Sequence, residues 1–270
     1  MYDFDYLSAR SVAEAIAAVG TDGDGTFIAG GMTMIPSLKQ RLASPRLLVD
    51  ITGIEAMRHV RLEGTDLILG GLLTHDTVMR SSDVRRSIPA LASLAGVIGD
   101  PQVRNRGTLG GSVACNDPAA DYPAALVGLG ATVVTDRRRI EADAFFRGMF
   151  ETLLAPDELV VEVSFPVPYQ AGYVKLRQPA SRYALAGVFV ARTPSGVRVA
   201  VTGAGPCVFR HLGMEEALEE DFAPETPPRI ATLPDGLLAD MHASAKYRAH
   251  LVGVAAARAV AVARRGEASA

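Results

Sequence analysis

Residues 99–121 read GDPQVRNRGTLGGSVACNDPAAD, and the fold turns on how this stretch is taken. It is rich in Gly, Pro, Asn and Asp and shows no hydrophobic period, so the reading is a long loop between helical patterns, the kind of loop that usually carries function. At its centre stands Thr108-Leu109-Gly110-Gly111-Ser112, a glycine pair flanked by hydroxyls. A second pair lies upstream in TFIAGGMTMIPSL (26–38), within Ile28-Ala29-Gly30-Gly31-Met32-Thr33-Met34-Ile35. Glycine lets the backbone turn several N–H groups toward one point, forming an anion nest without basic side chains. Two such nests suit a diphosphate, and a helix starting after Thr33 would aim its positive end at the same group. Taken singly, each pair reads more readily as a plain turn.

Upstream, Ser11 followed by Glu14 forms a capping box for a helix with Val12, Ile16 and Val19 on one stripe, stopped by Gly20. The cluster TDGDG (21–25) turns the chain into the strand TFI and the first glycine pair. A helix carrying Ile35, Leu38 and Leu42 follows, and then the strand RLLVDIT (46–52). Next, HVRLEGTDLILGG (59–71) is a hairpin about Glu63-Gly64, which predicts a mixed sheet. Residues 83–98 read as helical. Beyond residue 121 the pattern is a helix in YPAALVGLG and strands in ATVVT and LVVEVSFP, the last closed by Pro166. The segment PVPYQAG (166–172) has linker composition. Strands over 173–176, 185–191 and 197–202, a helix over 214–219, a Pro-rich loop over 220–236 and a final helix over 243–263 form a second unit.

The chain has 270 residues, 49% of them hydrophobic, and a net charge of −3, values that exclude disorder and a phosphate-backbone binder. No nucleic-acid partner is expected. No apolar run approaches a membrane span and no signal peptide opens the chain, so a cytoplasmic location is expected. Cys115 and Cys207 are too few and too far apart for a zinc or iron–sulfur site, so no metal is expected on this chain. Arg137-Arg138-Arg139, flanked by Asp136 and Glu141, reads as a solvated turn. His59, His75, His211, His242 and His250 are scattered without ligand spacing, and Cys115 reads as a small buried thiol rather than a nucleophile.

The segments AGGMTMIPSLKQRL (29–42), 99–126, FFRGMFETLLAPDELVVEVSFP (145–166) and LADMHASAKYRAHLVGV (238–254) together resemble the FAD-binding, medium subunit of the molybdenum hydroxylases, of carbon monoxide dehydrogenase and xanthine dehydrogenase type. The resemblance runs in order through essentially the whole chain. It implies an α+β fold: a PCMH-type, vanillyl-alcohol-oxidase-like FAD-binding domain over 1–168, with subdomains of about 1–54 and 55–168, then a smaller α+β domain over 172–270 with an antiparallel sheet and helices. Carried over by position, Ile28, Ala29, Gly30, Gly31, Met32, Thr33, Met34 and Ile35, with Thr108, Leu109, Gly110, Gly111 and Ser112, would wrap the FAD diphosphate and ribityl chain. Asp121 would accept cofactor hydroxyls, Ile98 and Val160 would supply apolar walls, and Lys175 would lie near the isoalloxazine. Lys175 also reads as a solvated strand residue, and Tyr183, which could reach the ring, as strand packing.

The function so implied is that of an electron-transfer oxidoreductase subunit with FAD as its cofactor. It takes electrons from two [2Fe-2S] clusters on a small partner subunit, fed by a molybdopterin centre on a large one, and passes them to an external acceptor. A dimer of heterotrimers is the family expectation. No residue of this chain is expected to be catalytic in the sense of touching the substrate. The alternative is a free-standing flavoprotein oxidoreductase of the same fold; a third reading, an assembly subunit that has lost FAD, is disfavoured by the four intact glycines.

Overall fold

A computed structural model describes residues 1–20 and 25–266. Strand β1 (Asp5–Ser8), helix α1 (Val12–Val19), strand β2 (Gly25–Ile28), helix α2 (Met34–Lys39) and strand β3 (Leu47–Asp50) build a three-stranded sheet ordered β1-β3-β2. Both strand pairs are parallel, as helical crossovers require. The capping box forms: Ser11 Oγ accepts from Glu14 N, and Glu14 Oε2 from Arg10 N. Ala15 and Val19 are the buried face of α1, with Val12 and Ile16 only half-buried. The turn expected at TDGDG falls on residues 21–24, outside those described. Helix α2 ends at Lys39, so Leu42 lies beyond it and is 77% exposed. The short edge strand β1 had no alternation to announce it.

The chain then forms β4 (Val60–Glu63), β5 (Asp66–Gly70), α3 (His75–Arg80), α4 (Ser82–Ser87), α5 (Pro89–Gly96), α6 (Pro101–Arg106), α7 (Leu109–Cys115) and α8 (Tyr122–Leu129). It continues through β6 (Thr132–Thr135), β7 (Arg139–Glu141), α9 (Ala142–Phe145), the hairpin β8 (Phe146–Gly148) and β9 (Glu151–Thr152), and β10 (Val160–Pro166). A five-stranded sheet, β4-β5-β10-β6-β7, is antiparallel throughout. The expected mixed sheet is therefore corrected: parallel and antiparallel pairings are segregated into separate sheets.

The stretch 99–121 is also corrected. It is mostly helix, because Asp100 and Thr108 each cap a short helix by accepting the N–H of a residue three positions on, Val103 and Gly111.

The remainder forms β11 (Gln170–Arg177), β12 (Ala184–Thr193), β13 (Gly196–Thr202), β14 (Phe209–Arg210), α10 (Leu212–Glu220) and α11 (Ala245–Arg265). These give an antiparallel sheet ordered β11-β12-β13-β14, with α11 packed on one face. Helix α8, apolar on every side, is buried along all eight residues between this sheet and the rest of the protein. Gly128 lets it approach: a Cβ there would lie 2.8 Å from Phe189 Cδ1. Tyr173, Phe189, Ala191 and Ala200 of the last sheet join one hydrophobic cluster with α3, α5, α8 and β10, so the core is continuous across the segment between Pro166 and Gln170. This arrangement sets the N-terminus of α8, and with it Asp121, against β11.

Candidate functional site

A cavity of about 610 Å³ lies where the three sheets meet, within the range of small-molecule and cofactor sites. Residues Ile28 to Met34 line one side; Thr108, Gly110, Gly111 and Ser112 line another; Ile98, Val160, Asp121 and Lys175 complete it. Two residues expected with them lie elsewhere. Leu109 is fully buried, turned into the core, and Ile35 is outside the lining and 38% exposed. On α2 and α7, successive side chains point in different directions, so a contiguous run cannot all face one cavity.

The two glycine segments are not equivalent. Among the described residues, the N–H groups of Gly30, Gly31, Met32, Thr33 and Met34 have no protein acceptor, and Gly31 supplies the turn with φ of +73°. Thr33 does not cap α2 with its side chain. These N–H groups remain available to a ligand. In the second segment the four N–H groups after Thr108 are already used: Leu109 N donates to Leu73 O at 2.9 Å, Gly110 N to Gly71 O at 2.8 Å, Gly111 N to Thr108 Oγ1 at 3.2 Å and Ser112 N to Thr108 O at 3.0 Å. The expected second nest is thus corrected to a capped helix start. Of its glycines only Gly110 serves close packing: a Cβ there would meet Gly71 O at 2.8 Å, whereas one on Gly111 would meet only Thr108 Oγ1.

Asp121 and Lys175 form a buried ion pair, Nζ to Oδ2 at 2.8 Å, each side chain 4% exposed. Lys175 also donates to Val97 O at 3.3 Å, and the Tyr173 hydroxyl donates to Asp121 Oδ1. Burial pushes the Asp121 carboxyl up, while Lys175 and Tyr173 oppose that rise. The reading of Lys175 as a solvated strand residue is overturned, and both carboxylate oxygens already carry protein donors.

The arginine cluster lies at an exposed bend between β6 and β7, as read, but Arg138 has a further role. Arg138 reaches back to Glu158, whose side chain is 0% exposed, with Nε at 2.7 Å and Nη2 at 2.6 Å. Thr135 Oγ1 and Ala155 N also donate to the same carboxylate, at 2.8 and 3.0 Å. The hydrogen bonds from Arg138 lead those that hold the Glu158 carboxyl at about 2, against burial. This clamp fixes Leu154, Ala155, Pro156 and Leu159, which form a wall of the cavity. Glu158→Gln should cost about 1–3 kcal/mol in thermal unfolding. The carboxylate's stabilisation is full above the unfolded value of about 4.3 and is lost as pH falls toward about 2. The wild-type advantage over the variant should therefore shrink in acid.

Sequence reasoning missed His75. It is 4% exposed, lies in the lining, and sits 5.4 Å from the Tyr122 ring; burial foremost, with Arg104, lowers it to about 4, so the imidazole is neutral. Its placement comes from His75 N donating to Gly107 O at 3.0 Å, a contact no local pattern announces. Cys115 also lines the cavity, half-buried, its thiol pushed up by burial, which agrees with an unreactive thiol. Tyr183, 53% exposed, stands in the lining with Ser181 and Arg182. Among the described residues no helix is long and apolar enough to cross a membrane.

Residues 2–168 match the sequence model of the family described as FAD binding domain in molybdopterin dehydrogenase. The chain is 34% identical over 277 residues to the carbon monoxide dehydrogenase medium chain of Hydrogenophaga pseudoflava, covering 95% of this chain and 96% of that one. It is 34% identical over 261 residues to the nicotine 6-hydroxylase medium subunit of Paenarthrobacter nicotinovorans, covering 92% of each. Its fold is similar to the solved carbon monoxide dehydrogenase from Hydrogenophaga pseudoflava lacking the Mo-pyranopterin moiety, with TM-score 0.86, 33% identity and 98% of each chain covered.

Proposed function

The chain belongs to the family of FAD-binding domains of molybdopterin dehydrogenases, and from that membership we propose that it is the electron-exit flavoprotein subunit of a molybdenum-dependent dehydrogenase. The observation that carries this reading is the cavity itself, with the backbone of Gly30 to Met34, whose N–H groups have no protein acceptor among the described residues, on one wall and a buried Asp121–Lys175 pair on another. The residues fit FAD. His75 is neutral and Lys175 already paired, so the peptide N–H groups of the first glycine turn would hold a diphosphate, with Arg182, which also lines the cavity, as a side-chain cation beside them. Ser112 adds a hydroxyl, and the small surface at Gly111 admits the ligand near α7. Ile98, Leu154 and Val160 offer apolar surface to the rings.

FAD accepts electrons singly and releases them in pairs, which suits it to a junction between iron–sulfur clusters and a two-electron acceptor. The chain binds, orients and partly desolvates that cofactor; none of its residues need touch the oxidised substrate. In this reading electrons arrive from [2Fe-2S] clusters on a small partner subunit, fed by a molybdopterin-bearing large subunit, in a dimer of heterotrimers in the cytoplasm. The FAD-binding domain spans 1–168, in subdomains of about 1–54 and 55–168. A C-terminal domain over 172–270 completes the site through Lys175 and the Ser181–Tyr183 loop.

The test is an absorption spectrum of the protein purified with whatever it binds, with acid release of the cofactor and metal analysis of its partners. A flavin spectrum, released FAD, and co-purifying chains containing molybdenum and iron are the expected results. FAD without partners would favour a free-standing flavoprotein, and protein that neither carries nor takes up FAD would overturn the reading.

A further inference from the structure

Asp121 occupies the N-cap of α8, where an aspartate ordinarily accepts the helix's own N–H groups. Its backbone is helical instead, with φ of −82° and ψ of −42°, and its side chain makes no capping bond. The carboxylate is turned across to β11, where it would be an isolated buried charge but for Lys175 and Tyr173. Tyr173 is 1% exposed, its ring tilted against Phe189 at 6.1 Å between centroids. Its hydroxyl fits because residue 187 on β12 is glycine: a Cβ there would lie 2.6 Å from Tyr173 Oη and 2.9 Å from Thr202 Cγ2. The turn carrying Asp121 is pinned from the same sheet. Thr202 Oγ1 donates to Ala120 O at 2.6 Å, and Gly203 N donates to Pro118 O at 2.9 Å.

We infer that Tyr173 is a positioning residue of the cofactor site: its hydroxyl fixes the Asp121 carboxylate in the orientation that holds the Lys175 ammonium at the cavity wall. The inference rests on the reading of that cavity as the FAD site. The groups facing Asp121 are Lys175 and Tyr173 from β11, Asp117 in the preceding turn, Tyr122 on α8 itself and Tyr183 after β11, with His75 beyond the Tyr122 ring. Burial raises the Asp121 carboxyl, and the Tyr173 hydrogen bond is one of the few contributions opposing it. Without that hydroxyl the carboxyl takes a proton at higher pH, leaving the Lys175 charge uncompensated beside the cofactor.

Tyr173→Phe removes the donor and preserves the ring. The experiment measures the flavin reduction potential of wild type and variant across pH, by dye-linked titration of the FAD-loaded protein isolated with its partners. The variant-minus-wild-type difference should be near zero at high pH, where both carboxylates are ionised. It should turn positive over a window at lower pH, where only the variant's Asp121 is protonated, because an uncompensated cation favours the added electrons. Gly187→Ala, which presses on the same hydroxyl without removing it, should shift the potential with the same sign, and by less in the Tyr173→Phe background, where only its contacts with Thr202 and the ring carbon remain. A loaded wild type whose difference from Tyr173→Phe is absent or constant with pH overturns the positioning role, since a merely structural tyrosine gives no pH window. A wild type without FAD overturns the cofactor reading and takes this inference with it.

Discussion

Gly30→Ala is expected to lower FAD affinity by more than about a hundredfold and to destabilise the protein by about 3 kcal/mol or more. A Cβ at Gly30 would lie 2.0 Å from Arg106 O, 2.6 Å from the Arg106 carbonyl carbon and 2.9 Å from Gly107 Cα. All three atoms are backbone, so no side chain can rotate aside. They also belong to a bonded corner: Gly107 N donates to Val103 O at 2.7 Å, and Gly107 O accepts from His75 N at 3.0 Å. Pushing Arg106 away therefore moves the end of α6, the start of α3 and the Thr108 cap together, while the alternative, moving the loop, displaces the Gly30–Met34 backbone that lines the cavity. Gly111→Ala is the comparison for stability, because its Cβ meets only the Thr108 hydroxyl at 2.8 Å; its flavin content reports on the cavity wall instead. The flavin-to-protein ratio after gel filtration and the thermal midpoint measure both effects. A Gly30→Ala protein that kept stoichiometric flavin at a wild-type midpoint would show that this close approach does not shape the site.

Gly30 and Gly111 look alike in sequence, and their difference marks where local reading stops. What depends on neighbours in the chain was legible: the Ser11 cap, the Glu63-Gly64 hairpin, the all-apolar α8, and the strands and closing helix after Pro166. The stretch 99–121 misled because α6 and α7 span six and seven residues, too short to display a helical period. Their caps, Asp100 and Thr108, were the visible signal, and Pro101 at the first helical position was another. Whether an N–H is free depends on distant partners such as Leu73 and Gly71, which sequence spacing does not supply. The same limit hid the electrostatics. Asp121 finds Tyr173 and Lys175 at separations of 52 and 54 residues, and Glu158 finds Arg138 at 20. Resemblance put Asp121 and Lys175 near one cofactor; only the fold shows that they hold each other.

That pairing makes Lys175→Met the substitution with the largest expected cost. Removing one partner of a buried ion pair leaves the other charge without compensation, typically a loss of about 3–5 kcal/mol. The Asp121 carboxyl, already raised by burial, then loses its principal opposing charge and rises further. The sign of the pH dependence follows. An acid whose folded value exceeds its unfolded one binds more protons when folded, so stability falls as pH rises from the unfolded value through the folded one. Lys175→Met should therefore lie closest to wild type in acid and fall furthest behind at neutral and alkaline pH in denaturant titrations. Asp121→Asn in the same background removes the charge itself, so the double variant should recover most of the stability and lose the pH dependence. FAD should remain weak in both, because the pair is part of the cavity wall as well as of the core. If Lys175→Met instead matched the wild type at every pH, the Asp121 carboxylate would have to be reached by water or already protonated, and the buried pair could not be what orders this side of the site.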